Sequence, residues 1–391
     1  MNKDLPLKGL RVLDFGHYIA GPAVGMMLAD QGAEVIRIDP PEGPRWSDQA
    51  NAILGRGKKS IVLDLKSAEG CETAQELAAR ADLLVENFRP GVMDRLGLGA
   101  DKLMAINPAL VYLSLPGFSS GDAERRVIKA YEGVVAAASG QFTDMGLSRV
   151  LMGINPSFTP LPLASAYAAT LGATAAVLAL GKREKTGTGE YIEVPLASAL
   201  IEGLVYNAMH VENFPERYKS PREREIEQRR ANGVPMNMGY AEIQEYMDPF
   251  YRTYICADGR PFYVVCASHK HHVRNALKLM GLWEEMEAEG LPDFDAYLPT
   301  SEWPEGEDCT LAGYPLSPAW AKRISAALKQ VFKTRGAFEW EEIWGRAGIP
   351  AAAHRTTEEW LASEHALASC LVLEVDDAQL GKPDKWETSP G

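Results

Sequence analysis

The stretch LKGLRVLDFGHYIAGPAVGMMLADQGAEVIRID, residues 7–39, carries the fold class. Arg11–Phe15 (RVLDF) is a short apolar run and reads as a buried strand. The turn GHYIAGP follows. Pro22 can occupy the first helical position, AVGMMLADQG then has helical spacing, and Gly32 stops it. Glu34–Ile38 (EVIRI) is the next strand. Outward from this unit the same alternation continues through SIVLDL, a helix around Ala68–Ala81, the strand DLLVEN, a turn at RPG and the strand LVYLSL. Strands alternating with helices of about ten residues predict parallel βαβ units, hence a doubly wound α/β sheet. Ligands on such sheets sit at the carboxyl ends of the strands.

The chain has 391 residues, which exceeds what one hydrophobic core supports and predicts two domains. Net charge is −13, from 53 Asp+Glu against 40 Lys+Arg. That balance argues against a nucleic-acid partner or a membrane-surface partner, because both are polyanionic. A small anionic ligand held by a few local cations is compatible with it. The N-terminal residues show no apolar stretch of signal-peptide length. The apolar window Leu163–Leu180 is Ala-rich, contains Ser, Thr and Tyr, and reads as a buried helix. Cys71, Cys256, Cys266, Cys309 and Cys370 are scattered, without CxxC pairing, which predicts reduced thiols in a cytoplasmic protein and no metal site.

Beyond residue 163 come a long Ala-rich helix, the turn KTGTGE, the strand YIEV and the helix PLASALIEGLVYNAMHV. Residues 1–215 are read as a large domain and 216–240, charged and irregular, as a linker. A smaller α+β domain is placed at 241–350. It contains the hairpin FYRTYICADGRPFYVVCA, with its turn at Asp258-Gly259-Arg260-Pro261. Residues 351–391 are read as a return segment to the large domain, with one helix (TTEEWLASEHALA) and one strand (CLVLEV).

Several motifs are ruled out or set aside. Gly16, Gly21 and Gly25 do not form GxGxxG, although Asp39 ends the second strand where a ribose-binding acid would sit. There is no GxxxxGK[ST]. His269, His271 and His272 cluster in SHKHH, three residues after Cys266. A solvated helix start is favoured over a zinc site there. Arg222–Arg230, interleaved with Glu, reads as a solvated helical face, with a subunit contact as the alternative.

Beyond the opening stretch, KKSIVLDLKSAEG, LLVENFRPGVMDRLGLG, INPALVYLSLPGF, KAYEGVVAAASG, KREKTGTGEYIEVPL, ICADGRPFYVV and AGIPAAAHRTTEEWLA complete a pattern. With them, most of the chain resembles the class III CoA-transferase family (the CaiB/BaiF type). The resemblance implies a Rossmann-like CoA-binding domain, a smaller second domain and an interlocked dimer. The activity it implies is movement of coenzyme A from an acyl-CoA to a carboxylic acid, without metal. It also implies that His17, Tyr18 and Ala20 lie along the CoA arm, and that Leu63, Lys66, Asn87, Phe88, Arg95 and Lys129 hold the nucleotide and phosphates. Each has a bland alternative, such as a surface lysine or a turn residue. Family members run on past the point where GKPDKWETSPG ends this sequence.

In this family an Asp carboxylate attacks the acyl-CoA carbonyl, forming a mixed anhydride that stays activated for the return of thiolate. The resemblance puts Ser165 at the place of that Asp, and no Asp or Glu occurs from Arg149 to Lys182. Serine needs a base and gives a less activated ester, yet suits a helix N-cap. The Tyr-Glu pair that flanks the acyl site is retained as Tyr131 and Glu132. Ile19 stands where Gln is frequent, and NGVPMNMG (232–239) is the nearest candidate for a covering Gly-rich loop. Three readings follow: the subunit without the nucleophile in a heteromer whose second family chain carries the Asp (a homodimer being the other assembly), a self-sufficient isomerase, racemase or lyase on CoA thioesters using Tyr131 or Glu132, or a non-catalytic CoA-binding scaffold.

Overall fold

The computed structural model describes residues 5–45, 49–143, 150–153, 158–204, 221–267, 269–313, 316–370 and 372. The chain divides into two compact units: Met1–Asp144 with Phe158–His210 and Glu364–Gly391, and Met145–Ser157 with Val211–Ser363.

The first unit is built on a six-stranded sheet of β1 (Arg11–Asp14), β2 (Glu34–Asp39), β3 (Lys59–Val62), β4 (Leu83–Glu86), β5 (Val111–Ser114) and β6 (Tyr191–Glu193). The strand order is β3-β2-β1-β4-β5-β6, and every neighbouring pair is parallel. The central strands are apolar on both faces because helices cover both. Val12, Leu83, Val85, Val111 and Leu113 pack towards the first helix (Ala20–Asp30) and the long helix Leu163–Thr186. Leu13, Leu84 and Tyr112 face the other way, against Ala74, Ala78 and Leu103. The order reverses between β1 and β4, so the crevice at their carboxyl ends is the natural ligand position for this topology.

The long helix has the length of a membrane span and a mean hydropathy of 1.7 over its most apolar window. It is instead a core helix, with Ala164, Ala168, Ala169, Gly172 and Ala176 buried. A Cβ at Gly172 would stand 2.9 Å from Leu115 Cδ2, so the missing side chain lets the helix lie close on the sheet.

The second unit holds an antiparallel sheet of β7 (Tyr251–Ile255), β8 (Pro261–Val265) and β9 (Ala351–Ala353), in that order. Phe332 centres its core, ringed by Tyr254, Phe262, Trp340 and Trp344.

Several sequence expectations are corrected. Within the linker expected at 216–240, the stretch read as a solvated helical face is an α-helix, Pro221–Asn232, but it is not wholly solvated, since Ile226 is buried with Leu151, Met238 and Ile243. One apolar residue in a charged run gave no periodic signal. The return segment starts later than 351, because β9 pairs with β8 inside the second unit. Three alanines carry little strand propensity, so this strand was invisible. The helix read across TTEEWLASEHALA is two, Thr357–Leu361 and Glu364–Ala368; Thr356 and Glu359 form a capping box that starts the first. Among the described residues, the helix read from Pro195 is α-helical over Leu196–Ala199 and continues as a 3-10 turn through Leu204, the rest of that stretch lying outside them. Pro22 is the third residue of its helix, which begins at Ala20. Its missing N–H is still one of the four that an α-helix leaves unpaired. The strand CLVLEV lies almost wholly outside the described residues.

Candidate active site

The first βα turn folds tightly on itself. A Cβ at Gly16 would lie 2.7 Å from Gly21 Cα, so both glycines are required by the close approach. Tyr18, between them, has φ +64°, a strained value for a side-chain-bearing residue. The turn is held from the next loop. His17 N donates to Asn87 Oδ1 at 2.8 Å, and Asn87 Nδ2 donates back to His17 O at 2.8 Å. Phe88 sets its ring edge-on to His17, centroids 5.0 Å apart. The loops after β1 and β4 are thereby joined across the switch point.

A cavity of about 550 Å³ opens there. Of the residues singled out in the sequence, it brings together His17, Tyr18, Ala20, Asn87, Phe88, Lys129, Tyr131, Glu132 and Ser165. A second cavity, about 290 Å³, shares His17, Arg45, Phe88 and Val92 with the first and adds Leu63, Lys66 and Arg95. Sequence reasoning missed Arg45, which lines both cavities, and Arg89, whose Nη1 donates to Val127 O at 2.6 Å. Neither sits in a periodic pattern that would announce it. The larger cavity thus carries Arg45, Arg89 and Lys129 against the carboxylate of Glu132. The smaller mixes Arg45, Lys66 and Arg95 with Asp39, Glu42 and Asp64.

The place marked by Ser165 is chemically specific. Glu132 Oε1 accepts from Ala164 N at 2.8 Å, and Oε2 accepts from Ser165 N at 3.0 Å and Ser165 Oγ at 2.5 Å. Glu132 therefore satisfies two buried amides at the start of the long helix that have no partner within it, where the helix dipole also favours an anion. The N-cap role read for Ser165 is corrected: Pro162 holds that position, and Ser165 is the third helical residue, donating its hydroxyl to Glu132. Tyr131 is the N-cap of the helix Glu132–Ala138, and its ring meets Tyr18 edge-on at 5.6 Å.

Burial lowers the pKa of His17, and the nearby Arg45 lowers it further, so the ring is neutral at pH 7. Partial burial and the neighbouring Tyr131 raise that of Tyr18. Both side chains therefore offer hydrogen bonding without charge. The SHKHH histidines lie in the second unit, where His269 precedes the helix Lys270–Leu279. Among the described residues no group of His, Cys, Asp and Glu is arranged to hold a metal ion.

The family model for CoA-transferase family III matches residues 7–389. The chain belongs to that family. It is 54% identical over 384 residues to the CoA-transferase/lyase DddD of Marinomonas sp. (strain MWYL1), covering 97% of this chain. The match spans only 46% of that relative, which is about twice as long. The α-methylacyl-CoA racemase of Mus musculus is 32% identical over 333 residues, 83% of this chain and 74% of the racemase. In fold, the crystal structure of Rv3272 from Mycobacterium tuberculosis matches with a TM-score of 0.73 at 24% identity, over 100% of this chain and 93% of that one. The family acts on CoA thioesters.

Proposed function

We propose that this chain is the CoA-binding part of a class III CoA-transferase, and that the nucleophilic Asp is supplied by a second chain or domain of the same fold. The observation that carries this is the state of the acyl site. Ser165 stands where the Asp is expected, and the one carboxylate that lines the larger cavity among the described residues, Glu132, is engaged by two backbone amides and a hydroxyl. A carboxylate that closes a helix end is poorly placed to attack a thioester or to shuttle a proton, which argues against a self-sufficient isomerase or racemase. The length of the DddD relative supports a second half of similar size.

In this reading Lys66, Arg95 and Arg45 neutralise the phosphates, while Lys129, Asn87 and Phe88 line the path of the CoA arm. Charge-assisted contacts of this kind let an acidic protein bind a polyanion. The neutral His17 and the turn residues Tyr18 and Ala20 bound the arm near the thioester. A carboxylate oxygen of the partner's Asp adds to the thioester carbonyl, the C–S bond breaks and CoA leaves as thiolate. The mixed anhydride remains activated for the thiolate's return. The setting is cytoplasmic, and the assembly is a heteromer in preference to a homodimer.

The test is calorimetry with CoA together with a transferase assay on the chain alone and co-expressed with an Asp-bearing family chain. The isolated chain should bind CoA and turn over negligibly, and the pair should be active. Lys66→Ala and Lys129→Ala should each weaken CoA binding by about tenfold or more, as expected for a charged hydrogen bond. Full turnover by the isolated chain would refute the proposal in favour of a self-sufficient enzyme. CoA binding without activity in any pairing would leave a scaffold.

A further inference from the structure

The strand that delivers Asn87 and Phe88 to the site ends in a buried acid. Glu86 closes β4 at 5% exposure. Its Oε2 accepts from Phe88 N at 2.7 Å, and the Ser114 hydroxyl donates to the same carboxylate. In the sheet register Glu86 stands beside Ser114 and Ser114 beside Glu193, so a polar row crosses the carboxyl ends of β4, β5 and β6. A cavity of about 210 Å³ adjoins this row, lined by Glu86, Arg89, Asp94, Asp101, Tyr112 and Tyr191 among others.

The electrostatics are unusual for a held anion. Among the described residues Glu86 has no ion-pair partner. The charged groups acting on it are acids: Asp94 on the helix Val92–Arg95 and Glu193 on β6. Tyr112 and Tyr191 face it from β5 and β6. Arg89 lines the same cavity but is bonded to Val127 O. Burial above all, then these acids, lift the pKa of Glu86 to about 7, against the pull of the Ser114 and Phe88 hydrogen bonds.

We propose that Glu86 is a positioning residue for the ligand site: its carboxylate holds residues 87–89 in the shape that lets Asn87 clamp His17 and Phe88 wall the cavity, and protonation loosens that hold. The role in binding rests on the CoA reading above; the loop contact does not. A carboxylate is roughly twice as strong an acceptor as a neutral carboxyl. The hold is therefore full above pH 7 and fades as pH falls through it. Fixing the loop costs the protein stability, because charging a buried acid without a cation is unfavourable.

The experiment uses the full chain. CoA affinity is measured by calorimetry from pH 6 to 8.5 for the wild type, Glu86→Gln and Asp94→Asn, alongside hydrogen exchange at the Phe88 amide. The ligand's own phosphate titrates near pH 6 in every case, so differences between profiles report the protein. From pH 6 to 8 the wild type should gain about tenfold more affinity than Glu86→Gln, the scale of one charge-assisted hydrogen bond. Phe88 exchange, corrected for intrinsic rate, should be faster in Glu86→Gln and in the wild type at pH 6. Asp94→Asn removes a neighbouring negative charge and should move the wild-type midpoint down by a fraction of a pH unit. It keeps Glu86 in place, so it decides the matter even if Glu86→Gln does not fold. Equal affinity and equal Phe88 exchange in wild type and Glu86→Gln at pH 8, or an unmoved midpoint in Asp94→Asn, overturns the proposal. A chain that binds no CoA at any pH overturns the CoA reading and the binding role; the Phe88 exchange then decides the loop contact by itself.

Discussion

β1 and β4 lie side by side in the sheet, and each ends in a buried acid that accepts the amide two residues further on. Asp14 accepts from Gly16 at 2.9 Å, and Glu86 from Phe88 at 2.7 Å. The loops so started are the two that meet through Asn87 and His17. The resemblance ends at the second oxygen. Asp14 Oδ2 takes the ammonium of Lys58 at 2.7 Å, with the side chains 2% and 0% exposed. Lys58 also donates to Pro22 O at 2.6 Å, tying β1's end to the first helix. A Cβ at Gly25 would stand 2.6 Å from Asp14 Oδ2 and 2.9 Å from Lys58 Nζ, so that glycine makes room for the pair. Glu86 has a serine hydroxyl in place of a cation and acids as neighbours. The same local device is a fixed brace where an ammonium completes it and a titratable one where none does.

The strongest way to break this contrast is to remove the cation. Lys58→Met leaves Asp14 buried and uncompensated, which typically costs about 3–5 kcal/mol. Urea unfolding should show that loss, and Asp14→Asn in the same chain should recover much of it. A single-variant loss below about 1 kcal/mol would mean that water reaches Asp14 and the brace is not buried in solution.

Glu86→Gln should act in the opposite direction. The folded-state pKa of Glu86 is raised from the usual carboxylate range to about 7. The folded chain therefore holds a proton that the unfolded chain has released, and its stability falls as pH rises from about 4.5 to 7. Replacing the acid by an amide should add about 3 kcal/mol at pH 8 and little near pH 4, by the same linkage. Urea midpoints at the two pH values check this. A destabilised variant at pH 8 would make Glu86 an ordinary structural acceptor and erase its difference from Asp14.

Neither brace was legible as such in the sequence. RVLDF and DLLVEN read as strands, and the parallel sheet follows from their alternation with helices. Each run carries an acid as its next-to-last residue, which is the one local signal that marks Asp14 and Glu86. Lys58 lies 44 residues from Asp14. Separation of that kind leaves no periodic trace. The residues carried over by family resemblance lie along the two cavities. Ser165 lines the larger cavity, and only its N-cap role fails. A serine near the start of an apolar run suggests an N-cap, but the acceptor serving those amides comes from Glu132, 33 residues earlier.

Asn87→Ala gives the smallest effect of the three and sharpens the comparison most. Asn87 is the crossbar between the braced loop and the titratable one, using its carbonyl for His17 N and its amide for His17 O. Removing two neutral, partly buried hydrogen bonds should cost about 1–2 kcal/mol. The loss should be the same at pH 6 and pH 8, because neither group titrates. If Glu86 works by holding this loop, its pH-dependent contribution to CoA affinity should shrink in the Asn87→Ala background, since the loop no longer transmits its position to His17. A double-mutant cycle of Glu86→Gln with Asn87→Ala, read by CoA affinity at pH 8, should be less than additive. Full additivity would mean that Glu86 reaches the site by another route, such as Phe88 alone, and the two strand ends would then act separately.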